Sequence, residues 1–283
     1  MAKIVIGTAN FKKKYGINKK KFKDKKIKLV NTLKKNKLNF FDTSFSYNID
    51  GSIINHLKRK IKIITKIKLP KNNQKKFIEN LDRLFDNELE KIKIKKFDSL
   101  LLHNVNDLNS KYRDFFLQKL FFLKKQKKFK YFGVSIYEPR DLDLVLDFFN
   151  PDIIQFPLSL LNNIFVKKKN FKKLLETKAI LQARSIFLQG LLLNDYNHIK
   201  KMRFHSKLKL DIFKFFKWCD KKKISKLDAC IQYVRQFKEI DIVTFGIDTS
   251  QHLEDIIKSF RKKNIEIYNH QIYNYRYYDP RKW

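Results

Sequence analysis

Short runs of β-branched and other apolar residues recur along the chain, and the intervals between them leave room for one helix each. Eight runs predict strands, at residues 3–7, 38–42, 61–66, 99–103, 131–135, 152–155, 180–184 and 242–246. Between them, apolar residues three and four positions apart, such as Leu81, Leu84 and Phe85, predict amphipathic helices. The predicted helices include residues 23–35, 74–87, 112–125, 140–149, 208–221, 225–237 and 250–262. This alternation predicts the α/β class.

Eight strand–helix units over about 250 residues have the size and rhythm of a (β/α)8 TIM barrel. A doubly wound sheet is the alternative. The 283 residues, 43% of them hydrophobic, can form one large core, and no linker-like stretch or shift in composition divides them. We therefore expect a single domain over residues 1–283. Its tyrosine-rich tail, residues 264–283, either packs across one end of the barrel or is a simple aromatic extension.

The chain carries a large positive charge, because 64 Lys and Arg residues stand against 28 Asp and Glu residues and leave a net charge of +36. Such a charge raises nucleic acid and anionic membranes as partners. However, the lysines are scattered along the whole chain and accompany many Ile, Asn and Phe residues, which A/T-rich codons specify. We attribute the charge to coding bias and solvated faces, and we predict no specific nucleic-acid partner. A basic nucleic-acid-binding protein is the alternative.

Several familiar patterns do not occur in the sequence. No G-x-G-x-x-G dinucleotide fingerprint and no Walker A motif is present. The two cysteines, Cys219 and Cys230, have neither a disulfide framework nor metal-ligand spacing, so we predict no metal site and a reducing, cytoplasmic location. No stretch approaches the roughly 20 apolar residues of a membrane span, and the first residues lack a signal-peptide core. The sequence predicts a soluble protein.

Ionisable side chains interrupt the apolar pattern at three predicted strand ends. Asp42 ends the second strand and Tyr47 follows five residues later, Lys66 ends the third strand, and His103 ends the fourth. In a barrel the carboxyl ends of all strands converge on one face, where catalytic residues lie. Taken singly, each has a structural explanation: a helix cap, a lysine reaching to water, or a structural histidine.

Together, and in this order, Asp42, Tyr47, Lys66 and His103 resemble the tetrad of the aldo-keto reductase family. The resemblance covers nearly the whole chain, because further blocks follow in the family's order. These are Gly7-Thr8-Ala9, Tyr15-Gly16, Phe132-Gly133-Val134-Ser135, Ile154-Gln155, residues 184–191, and Gly246 with Leu253 and Asp255. The Arg-Ser-x-Phe-Leu-Gln-Gly block at residues 184–190 looks most like a bacterial subgroup often associated with sugar and polysaccharide biosynthesis.

The resemblance implies an oxidoreductase that reduces an aldehyde or ketone, and the tetrad's chemistry suits that reaction. Hydride addition to a carbonyl leaves negative charge on oxygen, so a proton donor and a cation are needed. Tyr47 would donate the proton, and the Lys66 ammonium would favour the phenolate form that remains. Asp42 would pair with Lys66, and His103 would hydrogen-bond and orient the substrate carbonyl.

The resemblance also implies a nicotinamide nucleotide, NADPH with NADH possible, lying across the barrel mouth without a Rossmann unit. Gly7 and Thr8 would approach the nicotinamide, Ser135 and Gln155 would hydrogen-bond its carboxamide, and residues 185–188 would line the diphosphate channel. The implied cofactor-binding set is Gly7, Thr8, Ser135, Gln155, Arg184, Ser185, Phe187, Leu188, Gly246, Thr249 and Asp255. Arg184 stands where many relatives stack a tyrosine on the nicotinamide, and its fixed charge is expected to disfavour the oxidised form.

The sequence departs from the family pattern near the adenosine. Gly246 and His252 occupy positions where relatives place a cation against the 2′-phosphate, and Asp255 replaces a glutamate. Asp248 would either repel that phosphate, with Lys258 and Arg261 available to compensate, or accept from a ribose hydroxyl. In addition, Ile136 replaces an asparagine, and the interval between Tyr47 and Lys66 is short.

One alternative to catalysis remains open. In it, the barrel binds nicotinamide nucleotide as a sensor and has little turnover. The expected substrate is a small-molecule carbonyl, sugar-derived or a small aldehyde, and the sequence does not determine the oligomeric state.

Overall fold

The computed structural model of the protein describes residues 2–12, 22–47, 51–57, 61–263, 265–272 and 274–283. Within them, eight parallel strands pair in chain order and the last closes on the first. The strands are β1 (Lys3–Gly7), β2 (Phe40–Asp42), β3 (Lys62–Ile67), β4 (Phe97–Leu102), β5 (Phe129–Ser135), β6 (Ile153–Pro157), β7 (Ile180–Arg184) and β8 (Ile242–Gly246). The predicted (β/α)8 barrel is confirmed, and the doubly wound alternative is wrong.

Helices connect the strands around the outside of this barrel. They are α1 (Ala9–Lys12), α2 (Lys26–Lys35), α3 (Gly51–Asn55), α4 (Gln74–Glu79), α5 (Leu81–Ile92), α6 (Arg113–Lys125), α7 (Pro139–Leu146), α8 (Lys168–Glu176), α9 (Tyr196–Lys201), α10 (Ser206–Lys222), α11 (Lys226–Arg235) and α12 (Ser250–Arg261). The predicted helix at 74–87 is two helices, because the backbone leaves the helical conformation at Asn80, whose side chain caps the Lys76 carbonyl. Helix α8 was not predicted, because its sequence is rich in lysine and Leu174 is its one buried residue.

Alternation along the strands produces two hydrophobic cores. Side chains that point outward, such as Ile6, Phe41 and Val134, pack against the helices. Side chains that point inward at the lower part of the barrel form a separate cluster, which we call the apolar layer. Its members are Val5, Phe40, Ile64, Leu101, Ile153 and Ile242. Such branched and bulky residues fill barrel interiors in general, so this layer closes the barrel below the mouth.

One glycine is required by the closeness of two strands. At Gly133 in β5, a Cβ atom would lie 1.8 Å from the carbonyl oxygen of Ile153 in the neighbouring strand β6. Only a residue without a side chain allows this approach. Gly133 therefore has a packing role beside Ser135, which lies two residues further along at the mouth.

The tyrosine-rich tail packs against the barrel. Tyr278 is fully buried and its hydroxyl donates to Asp211 Oδ2 at 2.5 Å, while Tyr275 donates to Glu138 Oε2 at 2.8 Å. Burial beside the Asp211 carboxylate raises the pKa of the Tyr278 hydroxyl, so it remains a donor. Of the two expectations for the tail, packing against the barrel is therefore the correct one for its described residues.

Candidate active site

A cavity of about 540 Å³ opens at the carboxyl ends of the strands. This volume lies within the range of small-molecule and cofactor sites. Its wall runs from the predicted tetrad to the start of α12. The predicted residues that line it are Gly7, Thr8, Asp42, Tyr47, Lys66, His103, Ser135, Gln155, Arg184, Ser185, Phe187, Gly246 and Asp255.

The centre of the cavity holds a buried ion pair. Lys66 Nζ donates to Asp42 Oδ1 and, at 2.9 Å, to the backbone oxygen of Thr43. Burial lowers the pKa of the Lys66 ammonium, and the Asp42 carboxylate acts in the opposite direction. The charge of Lys66 therefore depends on the anion beside it.

Tyr47 and His103 stand next to this pair. Tyr47 ends a short 3₁₀ helix, Phe45–Tyr47, that follows β2, and its ring centroid lies 5.8 Å from Lys66 Nζ. The His103 ring meets the Tyr47 ring edge-on, with centroids 6.0 Å apart. Burial, together with the cations Lys66 and Arg184, lowers the pKa of His103 to about 4. Its imidazole is therefore neutral at pH 7.

The Asp42 carboxylate is further held by two glutamine amides. Gln155 Nε2 donates to Asp42 Oδ2 at 2.5 Å, and Gln182 Nε2 donates to the same oxygen at 2.9 Å. Gln182 Nε2 also donates to Thr244 Oγ1 at 2.7 Å, and Ser135 Oγ donates to Gln155 Oε1 at 3.0 Å. Asp42, Lys66, Gln155, Gln182 and Thr244 form what we call the polar layer of the barrel interior.

Arg184 makes contacts that were not predicted from the sequence. Its guanidinium lies 4.1 Å from the ring centroid of Tyr137, and its Nη2 donates to the Ile136 carbonyl oxygen at 3.2 Å. Arg281 from the tail lies over the same Tyr137 ring at 3.8 Å. Cation–π contacts of this kind are favourable, and here they connect the tail to the cavity wall.

The loop after β7 has an unusual backbone. Ser185, Leu188 and Gln189 have positive φ angles of 61°, 49° and 56°, and Gly190 follows at 88°. Left-handed backbone at residues other than glycine is strained, and such strain concentrates at functional sites. Within the loop, the backbone N–H groups of Leu188 and Gly190 donate to the Ser185 and Phe187 carbonyl oxygens, at 2.8 and 2.9 Å.

The far end of the cavity is lined by polar groups around α12. Asp248 accepts a hydrogen bond from Asn10 Nδ2 at 2.9 Å and lies 3.9 Å from His252 Nδ1. Asp255 accepts from Gln251 Nε2 at 2.9 Å. A carboxylate at this end suits a ribose hydroxyl better than a phosphate.

Two predicted cofactor-binding residues lie outside the cavity wall. The Thr249 hydroxyl accepts from His252 N at 3.1 Å and caps α12, and the Leu188 side chain is buried in the hydrophobic core. The Tyr15-Gly16 pair of the resemblance and Tyr273 of the tail lie outside the described residues. Sequence reasoning missed Asn10, Tyr137 and Lys226, which also line the cavity. It missed Gln182 as well, although a glutamine in an apolar strand was a visible signal.

The amino-acid sequence matches the model of a known protein family. The model of the aldo/keto reductase family matches residues 3–273. The chain belongs to this family, and the protein is an oxidoreductase of the type that interconverts carbonyls and alcohols.

Solved structures share the fold. An aldo-keto reductase from Bacillus halodurans, in its holo form, superposes with a TM-score of 0.72 at 14% identity, covering 93% of this chain and 88% of that one. The glycerol dehydrogenase of Gluconobacter oxydans gives 0.65 at 15% identity, with 93% and 87% covered. An aldo-keto reductase from a Medee basin deep-sea metagenome gives 0.61 at 16% identity, with 94% and 87% covered.

No curated protein sequence matches the chain. Among the described residues, every helix is too short or too polar to cross a membrane.

Proposed function

We propose that the protein reduces a small aldehyde or ketone to the alcohol, with Tyr47 as proton donor. The observation that carries this proposal is the meeting of the Asp42–Lys66 pair, Tyr47 and His103 in one cavity at the barrel mouth. A reduced nicotinamide nucleotide, when bound, supplies the hydride. The residues of the chain supply the proton and stabilise the developing charge.

Lys66 acts on Tyr47 through its charge. An ammonium near a phenol favours the phenolate, so the phenol gives up its proton more readily to an alkoxide-like oxygen. Asp42 keeps the ammonium in place, because a buried lysine without a partner tends to lose its proton. Proton transfer by a positioned side chain typically contributes about 10²–10⁴-fold to the rate.

His103 orients the substrate carbonyl as a neutral donor. The Ser44 hydroxyl lies 3.3 Å from His103 Nδ1 and 3.2 Å from the Lys66 carbonyl oxygen, and its single proton serves one of them at a time. When it serves Nδ1, the imidazole proton is on Nε2, where it can be donated to a carbonyl oxygen.

We assign the rest of the cavity to the nucleotide, NADPH with NADH possible. Ser135 and Gln155 lie beside the tetrad, the loop at 185–190 forms the part of the cavity wall that would face the diphosphate, and Asp248 and Asp255 line the adenosine end. Arg184 also lines the cavity and acts electrostatically on Lys66 and His103, and its charge there would disfavour an oxidised nicotinamide. The Asp248 carboxylate opposes a 2′-phosphate, so titration must decide between the two nucleotides.

The side chains that line the cavity also indicate the class of substrate. The Tyr47 ring lines the cavity beside His103, together with polar groups. Aromatic rings of this kind stack on a sugar face or on an apolar aldehyde. We therefore propose a sugar-derived or small aldehyde as substrate.

We further propose that the barrel works as one catalytic unit in the cytoplasm. Cys219 and Cys230 are free and buried, and burial raises the pKa of the Cys219 thiol to about 12. Two unpaired thiols suit a reducing compartment.

One experiment tests this function. Purified protein is titrated with NADPH and with NADH by nucleotide fluorescence, and Tyr47→Phe is compared with the wild type on a panel of aldehydes. We expect binding of at least one nucleotide and reduction that Tyr47→Phe lowers by at least about 10²-fold. Nucleotide binding without turnover by the wild type would favour a sensor, and no binding of either nucleotide would refute the proposal.

A further inference from the structure

Gln182 lies in β7 at a position where barrels usually place an apolar side chain. It is fully buried, and its inward neighbour two residues earlier, Ile180, belongs to the apolar side of the interior. Gln182 is not one of the described residues that line the cavity. Its amide therefore has no direct part in holding a ligand.

The two N–H groups of this amide are both used. Gln182 Nε2 donates to Asp42 Oδ2 at 2.9 Å and to Thr244 Oγ1 at 2.7 Å. The carboxylate can only accept, so its chemistry determines which end of the amide faces it. The other end, Oε1, is buried without a partner among the described residues.

An unpartnered buried carbonyl opposes folding, and an apolar residue here would avoid that cost. We therefore explain the presence of this amide by its hydrogen bond to the Asp42 carboxylate. Asp42 Oδ1 receives Lys66 Nζ, while Oδ2 receives Gln155 and Gln182 from the opposite side of the barrel. The three donors fix the plane of the carboxylate and occupy both of its oxygens.

We propose that Gln182 is a positioning residue that keeps the Asp42 carboxylate aligned with Lys66, so that buried Lys66 retains its charge beside Tyr47. This inference rests on the proposed carbonyl reduction. It assigns Gln182 no contact with substrate or nucleotide. Its effect passes through Asp42 to Lys66 and from Lys66 to the phenol.

Replacing Gln182 by methionine tests the proposal, because methionine keeps the volume and removes both donors. Lys66 then gives up its proton more easily, and the phenol of Tyr47 gives up its proton less easily. We expect kcat for aldehyde reduction to fall about tenfold and the alkaline limb of the pH–rate profile to move to higher pH. The nucleotide dissociation constant should change less than about twofold, since the cavity wall is intact.

The matched control is Gln232→Met. Gln232 is also a buried glutamine, and it donates to the Ser259 carbonyl oxygen at 2.8 Å between α11 and α12, away from the cavity. The control should lose stability while its pH–rate profile stays that of the wild type. Equal profiles for wild type and Gln182→Met, or equal changes in Gln182→Met and the control, would overturn the proposal.

A second variant covers the case in which Gln182→Met does not fold. Gln182→Glu keeps the shape, and its carboxyl can donate to Asp42 only while it is protonated. We expect activity near that of the wild type at acidic pH and a loss, relative to the wild type, as the pH rises. A constant ratio across the pH range would count against the proposal.

A readout without turnover separates this inference from the proposed function. The pH dependence of Lys66 acetylation by acetic anhydride, followed by mass spectrometry of its peptide, reports the charge of Lys66 directly. The other ionisable groups that face the Asp42–Lys66 pair are Tyr47, His103, Arg184 and Tyr137, which all variants retain.

Gln182→Met should shift the midpoint of Lys66 acetylation to lower pH, and Gln232→Met should not. This result is expected even if the wild type reduces none of the aldehydes, in which case only the proposed function fails. An unchanged midpoint in Gln182→Met would refute the role of Gln182.

Discussion

The same strands supply apolar side chains to the lower part of the barrel interior and polar side chains to its upper part. The apolar layer contains no charge, whereas the polar layer directly above it buries an ion pair and two amides. In five strands an apolar side chain is followed two residues later by a polar one: Phe40 and Asp42, Ile64 and Lys66, Ile153 and Gln155, Ile180 and Gln182, and Ile242 and Thr244.

The comparison shows how the fold separates stability from chemistry. Two residues along a strand is about 7 Å, which is enough to move from a dry core to a site that meets the cavity. The apolar layer contributes by burial, which needs no particular partner. The polar layer depends on specific hydrogen bonds, because a buried charge without partners is costly. Substitutions in the two layers should therefore have different effects on stability and on activity.

The largest effect is expected from Asp42→Asn in the polar layer. The substitution leaves the Lys66 charge buried without its anion, which should cost about 3–5 kcal/mol of stability at pH 7. Burial already lowers the pKa of Lys66, and the variant should lower it further. Because the folded variant then binds a proton less readily than the unfolded chain, its stability should recover as the pH rises. Urea unfolding at pH 7 and at about pH 9.5 checks this, and a pH-independent difference from wild type would contradict it.

A smaller effect is expected from Leu101→Ala in the apolar layer. Leu101 is fully buried among the inward-facing side chains, and its truncation should cost about 3 kcal/mol by leaving a cavity. The remaining folded molecules should keep the kcat and the pH–rate profile of the wild type. Denaturant unfolding and steady-state kinetics measure the two quantities. A shifted pH profile would mean that the layers are not separable.

The smallest effect concerns His103, at the edge of the polar layer. Its pKa is about 4 in the folded protein and about 6.5 when unfolded, so its contribution to stability is present above pH 6.5 and is lost as the pH falls toward 4. His103 is partly exposed, and we expect roughly 2 kcal/mol of pH-dependent stability in this window. His103→Gln should lose that slope.

The control for His103 lies in the same pH window. Burial raises the pKa of Asp107 to about 6, which makes the folded state gain stability as the pH falls. The measurement is therefore the difference between wild type and His103→Gln at each pH, in which Asp107 cancels. Parallel curves for the two proteins would show that the imidazole is not held neutral by its site.

Much of the fold could be predicted because its signals are local. The strands Lys3–Gly7, Ile180–Arg184 and Ile242–Gly246 have the predicted bounds, since each is a short, largely apolar run between polar loops. Helix α8 was missed because lysine-rich sequence weakens the periodicity that marks helices. Residues 74–87 were read as one helix because their apolar spacing continues across Asn80, where the backbone leaves the helical conformation.

The site was predictable where its residues end strands. Asp42, Lys66 and His103 interrupt apolar runs, and their order with Tyr47 resembles the family. Thr249 was expected to bind the nucleotide, but helix capping uses its hydroxyl. Arg184 was expected at the nicotinamide, and its contact with the Tyr137 ring, which Arg281 of the tail also contacts, was not predicted.

The sequence by itself determined the alternation of strands and helices, the family, and the four ionisable groups at the mouth. Strands and helices depend on residues that are near one another in the chain, whereas the family and the four groups are recognised by the order of short motifs along it. The tertiary structure alone decided that the tail packs on the barrel, that Tyr137 lies between the tail and the cavity, and that Gln155 and Gln182 share one oxygen of Asp42. The Tyr278–Asp211 contact joins residues 67 positions apart, and the two glutamine contacts with Asp42 join residues 113 and 140 positions apart. Closure of the barrel brings such distant residues together.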